Sequence, residues 1–191
     1  MMARVLAQLR RRIRLRRETT LRALTDRAHK HREEIMDPRI LTAKINDVKF
    51  GEGVTVVEPC NLYGCEIGDE TFVGPFTEIQ KGAVIGKRCR IQSHSFICDL
   101  VTIGDDTFVG HGVMFTNDLF KEGAPERTDA SKWKPTHIGK NVSIGSNVTM
   151  LPVTVCDHVV IGAGSVVTKD LSEPGIYAGN PARLIRKLQR N

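Results

Sequence analysis

Aliphatic residues recur at every sixth position through most of this chain. Within "IGKRCRIQSHSFICDLVTI" (residues 85–103), isoleucine stands at positions 85, 91, 97 and 103. That spacing matches neither the period of two that marks a β-strand nor the 3.6 of an α-helix. The frame loses one residue at "MLPVT", and its other members are Ile67, Val73, Ile79, Val109, Phe115, Ile138, Ile144, Met150, Val155, Ile161 and Val167, with a weaker start at Phe50, Val56 and Leu62. A fixed frame of this length is an internal repeat.

The other positions of the hexad follow the same frame. If the aliphatic residue is the first, the fifth is small or β-branched, as at Thr71, Thr77, Ala83, Cys89, Ser95, Val101, Thr107, Val113, Val142, Val148, Val159 and Ser165. The second is often glycine, as at Gly68, Gly74, Gly86, Gly104, Gly110, Gly139, Gly145 and Gly162. We expect one short strand and one bend per hexad, with the first and fifth residues inward and the glycine helping the chain to turn. Three hexads then close a coil of roughly eighteen residues, and coils stack at about 4.8 Å.

This pattern resembles the hexapeptide-repeat acyltransferases, whose fold is a left-handed parallel β-helix. The period indicates a repeating coil, whereas the handedness is implied by the resemblance. The expected fold class is therefore all-β: a basic helical arm over residues 1–40, a left-handed β-helix over 41–180 interrupted by a loop over 118–137, and a short C-terminal helix over 181–191. The alternative is an ordinary β-sandwich, which shows no fixed frame.

Positive charge is concentrated in the N-terminal arm. Residues 1–40 contain 12 Lys and Arg against 5 Asp and Glu, whereas the rest of the chain contains 16 against 17. The repeat domain therefore has no excess of basic charge to favour nucleic-acid binding. Helical spacing in the arm, at Val5, Leu9 and Ile13 and again at Leu21, Leu24, Ala28 and Ile35, predicts a basic helix that ends before Asp37-Pro38. The first interpretation is a solvated helix, or an upstream extension before a true start at Met36. The alternative is weak contact with an anionic membrane surface, or with a partner, through residues 1–35.

Cysteine usage and hydropathy favour the cytoplasm. The five cysteines include no CxxC pair, and Cys60 and Cys89 are expected to be small buried residues in a reducing compartment. No apolar run approaches the ~20 residues that span a bilayer, and the N-terminus lacks the apolar core of a secretory signal.

The C-terminal run "IGAGSVVTKDLSEPGIYAGNPARLIRKL" resembles the coenzyme A-binding end of these acyltransferases. The resemblance implies acetyl-CoA as co-substrate, with backbone at Gly145 and Ala163 open to the pantetheine amides. Lys169, Arg183 and Arg186 are then expected to face the coenzyme phosphates. A plain capping element is the alternative.

A polar group surrounds "IQSHSF" and "GHGVMFTND". His94 and His111 are seventeen residues apart, one coil less one residue, so we expect them at the same corner of adjacent coils. Gln92, Asn117 and Asp118 are expected to follow the same faces. The loop over 118–137, which contains the only tryptophan, interrupts the coil here, and such excursions are usually functional.

The segment from Glu58 to Asp118 resembles a subgroup that N-acetylates nucleotide-linked 3-amino sugars for bacterial surface polysaccharides. The resemblance implies a homotrimer whose loop covers a neighbour's cleft, and a nucleotide-sugar acceptor. His94, Asn117 and His111 are the catalytic candidates, and Gln92 and Asp118 the substrate-binding ones. Because a neutral amine is a good nucleophile, positioning and oxyanion support are the main tasks.

Three alternatives remain. An O-acetyltransferase acting on a simple sugar or serine needs a strong base, which His94 or His111 supplies. A γ-class carbonic anhydrase needs three histidines around zinc, two of them five residues apart, but five residues after His111 stands Thr116, so no metal site is expected. The third alternative is a scaffold without enzymatic activity.

Overall fold

Short parallel strands make up the larger of two units into which the chain divides, Met1–Leu41 and Thr42–Asn191. The computed structural model describes residues 15–17, 19–22, 40–127 and 129–188. In chain order the strands are β1 (Ile45–Asn46), β2 (Lys49–Phe50), β3 (Thr55–Val56), β4 (Asn61–Tyr63), β5 (Glu66–Ile67), β6 (Phe72–Val73), β7 (Glu78–Ile79), β8 (Val84–Ile85), β9 (Arg90–Ile91), β10 (Phe96–Ile97), β11 (Val101–Ile103), β12 (Phe108–Val109), β13 (Met114–Phe115), β14 (Thr136–Ile138), β15 (Ser143–Ile144), β16 (Thr149–Met150), β17 (Thr154–Val155), β18 (Val159–Ile161), β19 (Val166–Val167), β20 (Gly175–Ala178) and β21 (Arg183–Lys187).

Successive strands belong to three sheets in rotation. Sheet A has the order β1-β4-β7-β10-β13-β16-β19, sheet B β17-β14-β11-β8-β5-β2, and sheet C β21-β20-β18-β15-β12-β9-β6-β3. Pairing joins equivalent residues of successive coils, so that Ile79 lies beside Ile97. The unit is a three-sided parallel β-solenoid of about seven turns. This confirms the all-β coil of hexads and agrees with the left-handed β-helix that the resemblance implies.

The three corners of the coil place the polar residues. The C–A corner consists of residues 58–59, 75–76, 93–94, 111–112, 146–147 and 163–164. The A–B corner consists of residues 64–65, 81–82, 99–100, 116–135, 151–153 and 168–170. The B–C corner consists of residues 52–53, 69–70, 87–88, 105–106, 140–141 and 157–158. The residue missing from "MLPVT" shortens the A–B corner alone, because His137 still pairs with Thr154 across sheet B.

The core follows the hexad. Every first-position residue from Ile67 to Val167, and every fifth-position residue named above, is buried. Buried hydroxyls bond to the next coil: Thr71 donates to the Gly86 carbonyl at 2.8 Å, Ser95 to Gly110 at 3.0 Å and Thr107 to Gly139 at 3.1 Å. The small fifth residue can therefore be polar without leaving an unpaired group in the interior.

The second-position glycines do not make the turns, which corrects the expectation from sequence. The residue with positive φ is the fourth of the hexad, for example Glu70 (58°) and Arg88 (53°). A Cβ at Gly104 would lie 2.7 Å from the Gly139 backbone, and one at Gly145 would lie 2.5 Å from the Ala163 nitrogen. Glycine is required because successive coils approach too closely for any side chain.

Four of the cysteines fill interior positions. Cys60, Cys65, Cys89 and Cys98 are buried, Cys156 is partly buried, and all five are free thiols. Burial of Cys60 and Cys89 as small interior residues is thereby confirmed. Burial also raises the pKa of Cys65 to about 11 and that of Cys98 to about 12.

Both ends of the chain bear on the sequence predictions. Residues 15–17 and 19–22 are helical, while Asp37-Pro38 and the rest of the arm up to residue 39 lie outside the described residues. No helix in the described part of the chain is long and apolar enough to cross a bilayer. The prediction of a C-terminal helix over residues 181–191 is wrong, because Arg183–Lys187 forms β21 and pairs antiparallel with β20. Without that strand β20 would leave an open sheet edge, and edge pairing outweighs helix propensity here.

Candidate functional site

His94 and His111 lie at the same corner of adjacent coils, as their spacing predicts. The Gly112 N–H donates to the Ser93 carbonyl at 3.0 Å, so the turn containing His111 stacks directly on the turn containing His94. The Ser93 hydroxyl is 2.8 Å from the His111 Nδ1 atom. Both histidines are exposed at the C–A corner. The pair therefore presents two imidazoles on neighbouring coils, one of them oriented by a serine.

Stacking and backbone conformation orient His94. Its ring stacks on Phe76 of the preceding coil, with the centroids 4.8 Å apart and the planes at 29°. Its φ of 62° lies in the left-handed region that a residue with a Cβ rarely adopts. One coil beyond, Gly112 leaves space that the Asn147 side chain reaches into. Asn147 also has positive φ, at 58°, and was not singled out from the sequence, although its fourth hexad position was a usable signal.

Three of the residues expected to hold coenzyme continue this corner. Gly145 and Ala163 follow on the next two coils, with the Gly145 N–H donating to the Ile161 carbonyl at 2.8 Å. Arg183 begins β21, next to Ala182, whose N–H donates to the Val166 carbonyl at 2.8 Å. From His94 to Ala163 is three coils, or roughly 14 Å at about 4.8 Å per coil. The C–A corner is thus a continuous edge from the histidines to the C-terminal strand, and we call it the histidine edge.

Asn117, Asp118 and Lys169 are not on the histidine edge, which corrects the expectation that they share its faces. They belong to the A–B corner, at the other end of the sheet A strands. The five steps from Gly112 to Asn117 span roughly 16 Å of extended chain, because each residue of a strand advances about 3.3 Å. Gln92 does lie at the histidine edge, where its carbonyl accepts from the Ser95 hydroxyl at 2.9 Å.

Arg186 is also separated from the histidine edge. It pairs with Ile176, several residues along β21 from the Arg183 end. Because β21 is extended, Arg183 lies at the corner where β20 ends, and Arg186 lies farther along the strand toward the opposite corner. A helix would have kept the two arginines within one turn of each other. Of the five positions expected to bind coenzyme, Gly145, Ala163 and Arg183 are brought together within one chain.

The excursion from the coil runs over residues 116–135 rather than 118–137, because Thr136 already begins β14. Asp118 organises it: its carboxylate accepts from the Phe120 N–H at 2.8 Å and from the Glu126 N–H at 2.7 Å. Lys132 pairs with the Glu126 carboxylate at 2.7 Å. The Asp118 carboxylate therefore makes its hydrogen bonds within the loop.

The base of the loop is closed and encloses space. The Lys134 N–H donates to the Asn117 carbonyl at 2.8 Å, joining the two ends of the excursion. A cavity of about 290 Å³ lies inside, lined by Asp118, Leu119, Lys121, Glu122, Ala124, Pro125, Glu126, Ser131, Lys132 and Lys134. Next to it, a 3-10 turn (Ala130–Lys132) is capped by Asp129, and the buried indole N–H of Trp133 has no partner in the described part of the chain.

A second polar group, missed from the sequence, surrounds Asn117. The Asn117 amide donates to the Asp99 carbonyl at 3.4 Å. Burial raises the pKa of the Asp99 carboxyl, and burial followed by the nearby Glu78 and Asp99 carboxylates raises the pKa of Tyr63. The Gln80 amide donates to Glu78 at 2.9 Å. We call Tyr63, Glu78, Gln80, Asp99 and Asn117 the acidic edge. Tyr63 and Gln80 are second-position residues, Asp99 and Asn117 are third-position residues and Glu78 is a sixth, so no single hexad position marks the group.

Within the described part of the chain, no three His, Cys, Asp or Glu side chains are grouped so as to hold a metal ion. The candidate groups are therefore two imidazoles on the histidine edge and a partly buried carboxyl and amide on the acidic edge. These groups are suited to moving protons and to hydrogen bonding.

Comparison with known proteins agrees with this architecture. Residues 64–99 match the model of the bacterial transferase hexapeptide (six repeats), and residues 135–169 match that of the hexapeptide repeat of succinyl-transferase. The chain carries transferase-type hexapeptide repeats. These matches flank the loop and coincide with the regular coils on either side of it.

Among curated proteins, this chain is 32% identical over 132 residues to the bifunctional protein GlmU of Aquifex aeolicus (strain VF5). That alignment covers 65% of this chain and 26% of GlmU. The chain thus spans about a quarter of the length of the curated relatives it matches.

Among solved structures, AntD, an N-acyltransferase from Bacillus cereus in complex with dTDP and 3-hydroxybutyryl-CoA, superposes with a TM-score of 0.65 at 20% identity, covering 75% of this chain and 84% of AntD. A hexapeptide-repeat acetyltransferase from Vibrio cholerae O1 biovar eltor, complexed with acetyl coenzyme A, superposes with a TM-score of 0.53 at 25% identity, covering 66% and 72%. The first likeness is one of fold alone.

Proposed function

We propose that this protein is an acetyl-CoA-dependent N-acetyltransferase acting on the amine of a nucleotide-linked amino sugar in the cytoplasm. The observation that carries the proposal is the histidine edge, where His94, His111, Gly145, Ala163 and Arg183 follow one another on successive coils. When the thioester of acetyl-CoA lies near the histidines, the rest of coenzyme A extends along the histidine edge toward β21. The Vibrio cholerae acetyltransferase complexed with acetyl coenzyme A supports the choice of acyl donor.

The histidine edge fits an extended acyl donor in two respects. Ala163 is exposed and carries only a methyl group, which suits close approach of an amide-containing chain, whereas Gly145 packs against Ala163 and serves by keeping the two coils close together. The exposed guanidinium of Arg183 offers bidentate bonds to a phosphate at the far end. Lys169 and Arg186 belong to other faces of the same chain, so we assign them no role on this edge.

Amide formation needs a neutral amine and a place for one proton. The amine nitrogen attacks the thioester carbonyl carbon, the C–N bond forms, the C–S bond breaks, and the coenzyme thiolate leaves. The His94 imidazole or the Asp99 carboxylate takes the proton that the amine nitrogen releases, and the Asn117 or Asn147 amide orients the amine. AntD is an N-acyltransferase whose complex contains dTDP. Its shared fold supports the proposal that the acceptor amine is linked to a nucleotide.

A homotrimer would reunite the two edges, which lie roughly 16 Å apart along one chain. In such a trimer the acidic edge and loop of one subunit face the histidine edge of its neighbour. Each site would then contain His94 and His111 from one chain and Asn117 from another. This arrangement accounts for a histidine edge that is open on its own chain.

The direct test is thiol release from acetyl-CoA across a panel of uridine- and thymidine-linked amino sugars. Turnover with one or more amines, and none with the matching 3-hydroxy sugars, is the expected result. Coenzyme binding without turnover on any acceptor would contradict the proposal.

An O-acetyltransferase is the second candidate, favoured by the hydrogen bond between Ser93 and His111. A histidine oriented through Nδ1 presents Nε2 as a base, which a hydroxyl acceptor requires. Turnover of simple sugars or serine, abolished by His111→Ala alone, would favour this candidate over N-acetylation.

A further inference from the structure

An exposed aromatic side chain stands on the histidine edge one coil before His94. Phe76 is 57% exposed and therefore contributes little to the core. The coil gives the fourth hexad position at this corner a positive φ, 59° at Phe76, which is costly for a bulky residue and is best met by glycine or asparagine. Those two residue types fill the position farther along the edge, at Gly112, Asn147 and Gly164. Neither core packing nor backbone conformation explains a phenylalanine here.

Rings occupy the part of the edge that precedes the histidines. The Phe76 N–H donates to the Pro59 carbonyl at 2.6 Å. One coil later the His94 N–H donates to the Pro75 carbonyl at 3.1 Å, so the turns stack directly on one another. Pro59, Phe76 and His94 are exposed in succession, and stacking on His94 leaves more than half of Phe76 uncovered. The edge thus offers a broad apolar ring before His94 and only small or amide side chains beyond His111.

The position of the acyl donor leaves one direction for the acceptor. In the proposed function, coenzyme A extends from the histidines toward β21 and covers the part of the edge with small side chains. The acceptor amine must reach the thioester near His94, so the rest of the acceptor lies toward Phe76. A sugar ring presents an apolar face of C–H groups and a nucleobase presents a π-face, and either one packs on an aromatic ring.

We propose that Phe76 is an acceptor-binding residue, against which a flat ring of the acceptor packs. The inference rests on the proposed function for the direction of the donor, and it applies equally to a sugar acceptor that reacts through a hydroxyl. The ring is the pyranose or the nucleobase, which share recognition by an aromatic face. The competing role is that Phe76 only orients His94. That role would affect the rate of proton transfer and leave the affinity for the acceptor unchanged.

Steady-state kinetics of the full chain separate the two roles. Phe76→Ala and Phe76→Asn should raise the KM for the acceptor about tenfold, since stacking of one ring contributes roughly fivefold to a hundredfold in affinity, and should leave the KM for acetyl-CoA unchanged. Phe76→Tyr should keep the wild-type KM. Because asparagine tolerates a positive φ, Phe76→Asn should have a urea midpoint no lower than the wild type, which separates lost binding from lost folding. The matched control, Phe108→Ala, removes a phenylalanine that is 39% exposed on β12, away from the corner, and should keep both KM values.

Binding of UDP and dTDP, measured by calorimetry in the presence of coenzyme A, identifies the ring. A loss of affinity in Phe76→Ala equal to the rise in KM assigns the nucleobase, and unchanged affinity assigns the pyranose. An unchanged acceptor KM in Phe76→Ala, whatever its kcat, or an equal rise in Phe108→Ala, would overturn the inference. A wild type that acetylates simple sugars but no nucleotide-linked amine would refute the proposed N-acetylation alone, and the KM of Phe76→Ala for those sugars then decides the inference. A wild type that neither turns over any acceptor nor binds UDP or dTDP would overturn both.

Discussion

At the scale of single residues, substitutions test the roles proposed for the histidine edge and the acidic edge. Replacing His94 or Asn117 by Ala should lower the acetylation rate by roughly 10²–10⁴-fold where the residue moves the proton, and by less where it only orients the amine. His158→Ala is a matched control, because His158 occupies the same hexad position with a φ of 59° but lies at the B–C corner. Steady-state rates on the best amino sugar measure the effect. Wild-type rates for His94→Ala, His111→Ala and Asn117→Ala together would show that the site lies elsewhere.

The thiols give a second residue-scale prediction, which concerns packing. With a pKa of about 12, Cys98 has a thiolate fraction of about 10⁻⁴ at pH 8, and Cys65, at about 11, has about 10⁻³. We expect an aromatic disulfide reagent to label partly buried Cys156 first, and the other four only on unfolding. Fast labelling of Cys98 in the native protein, identified by mass spectrometry, would mean that the coil opens there.

At the scale of the coil, the second-position glycines should be needed for close packing. Gly104→Ala forces a Cβ to within 2.7 Å of the next coil's backbone and should cost about 1–3 kcal/mol in the free energy of unfolding. Gly162→Ala is the milder comparison at the same hexad position and should cost less, because its nearest neighbours are the Ala178 Cβ at 3.0 Å and the Tyr177 oxygen at 3.5 Å. Urea unfolding measures both. Equal losses would indicate that backbone conformation, and not contact between coils, demands glycine.

The B–C corner should make the coil sensitive to acid. The Lys87 N–H, followed by the Lys140 ammonium, holds the pKa of Asp105 below its ordinary value. The folded state therefore takes up this proton less readily than the unfolded chain. The stabilisation is present above the unfolded pKa of about 3.9 and is lost as the pH falls toward the lower folded value. Asp105→Asn should lower the urea midpoint at pH 7 and flatten its fall below about pH 4.

Asp99 provides the contrast, because burial raises its pKa. Its folded form takes up the proton more readily than the unfolded chain, so its contribution to stability grows as the pH falls through the raised value. Asp99→Asn should therefore remove a destabilisation at neutral pH. A fall in the midpoint at pH 7 comparable to that of Asp105→Asn would contradict the assigned directions.

At the scale of the whole molecule, a shared site predicts complementation. His94→Ala and Asn117→Ala chains should each be nearly inactive, but mixed trimers unfolded and refolded together at equal amounts should recover about a quarter of the wild-type sites. Light scattering should show trimers throughout. Recovery no better than the average of the two variants, or a monomer that turns over, would require both residues to act within one chain.

The sequence alone determined the coil, the buried rows of first- and fifth-position side chains, and the shared corner of His94 and His111. It did so because the hexad is a local rule: each side chain's inward or outward direction depends on its place in six residues. Tertiary structure decided what lies beyond that rule. Asn117 lies away from the histidine edge because a strand of sheet A separates the two corners. Asp118 organises the loop because the backbone N–H groups of Phe120 and Glu126 donate to its carboxylate. The C-terminal segment forms a strand because it pairs with the otherwise open edge of β20. The second-position glycines are needed because coils about eighteen residues apart in sequence pack closely against each other. A local sequence pattern contains no information on either contact.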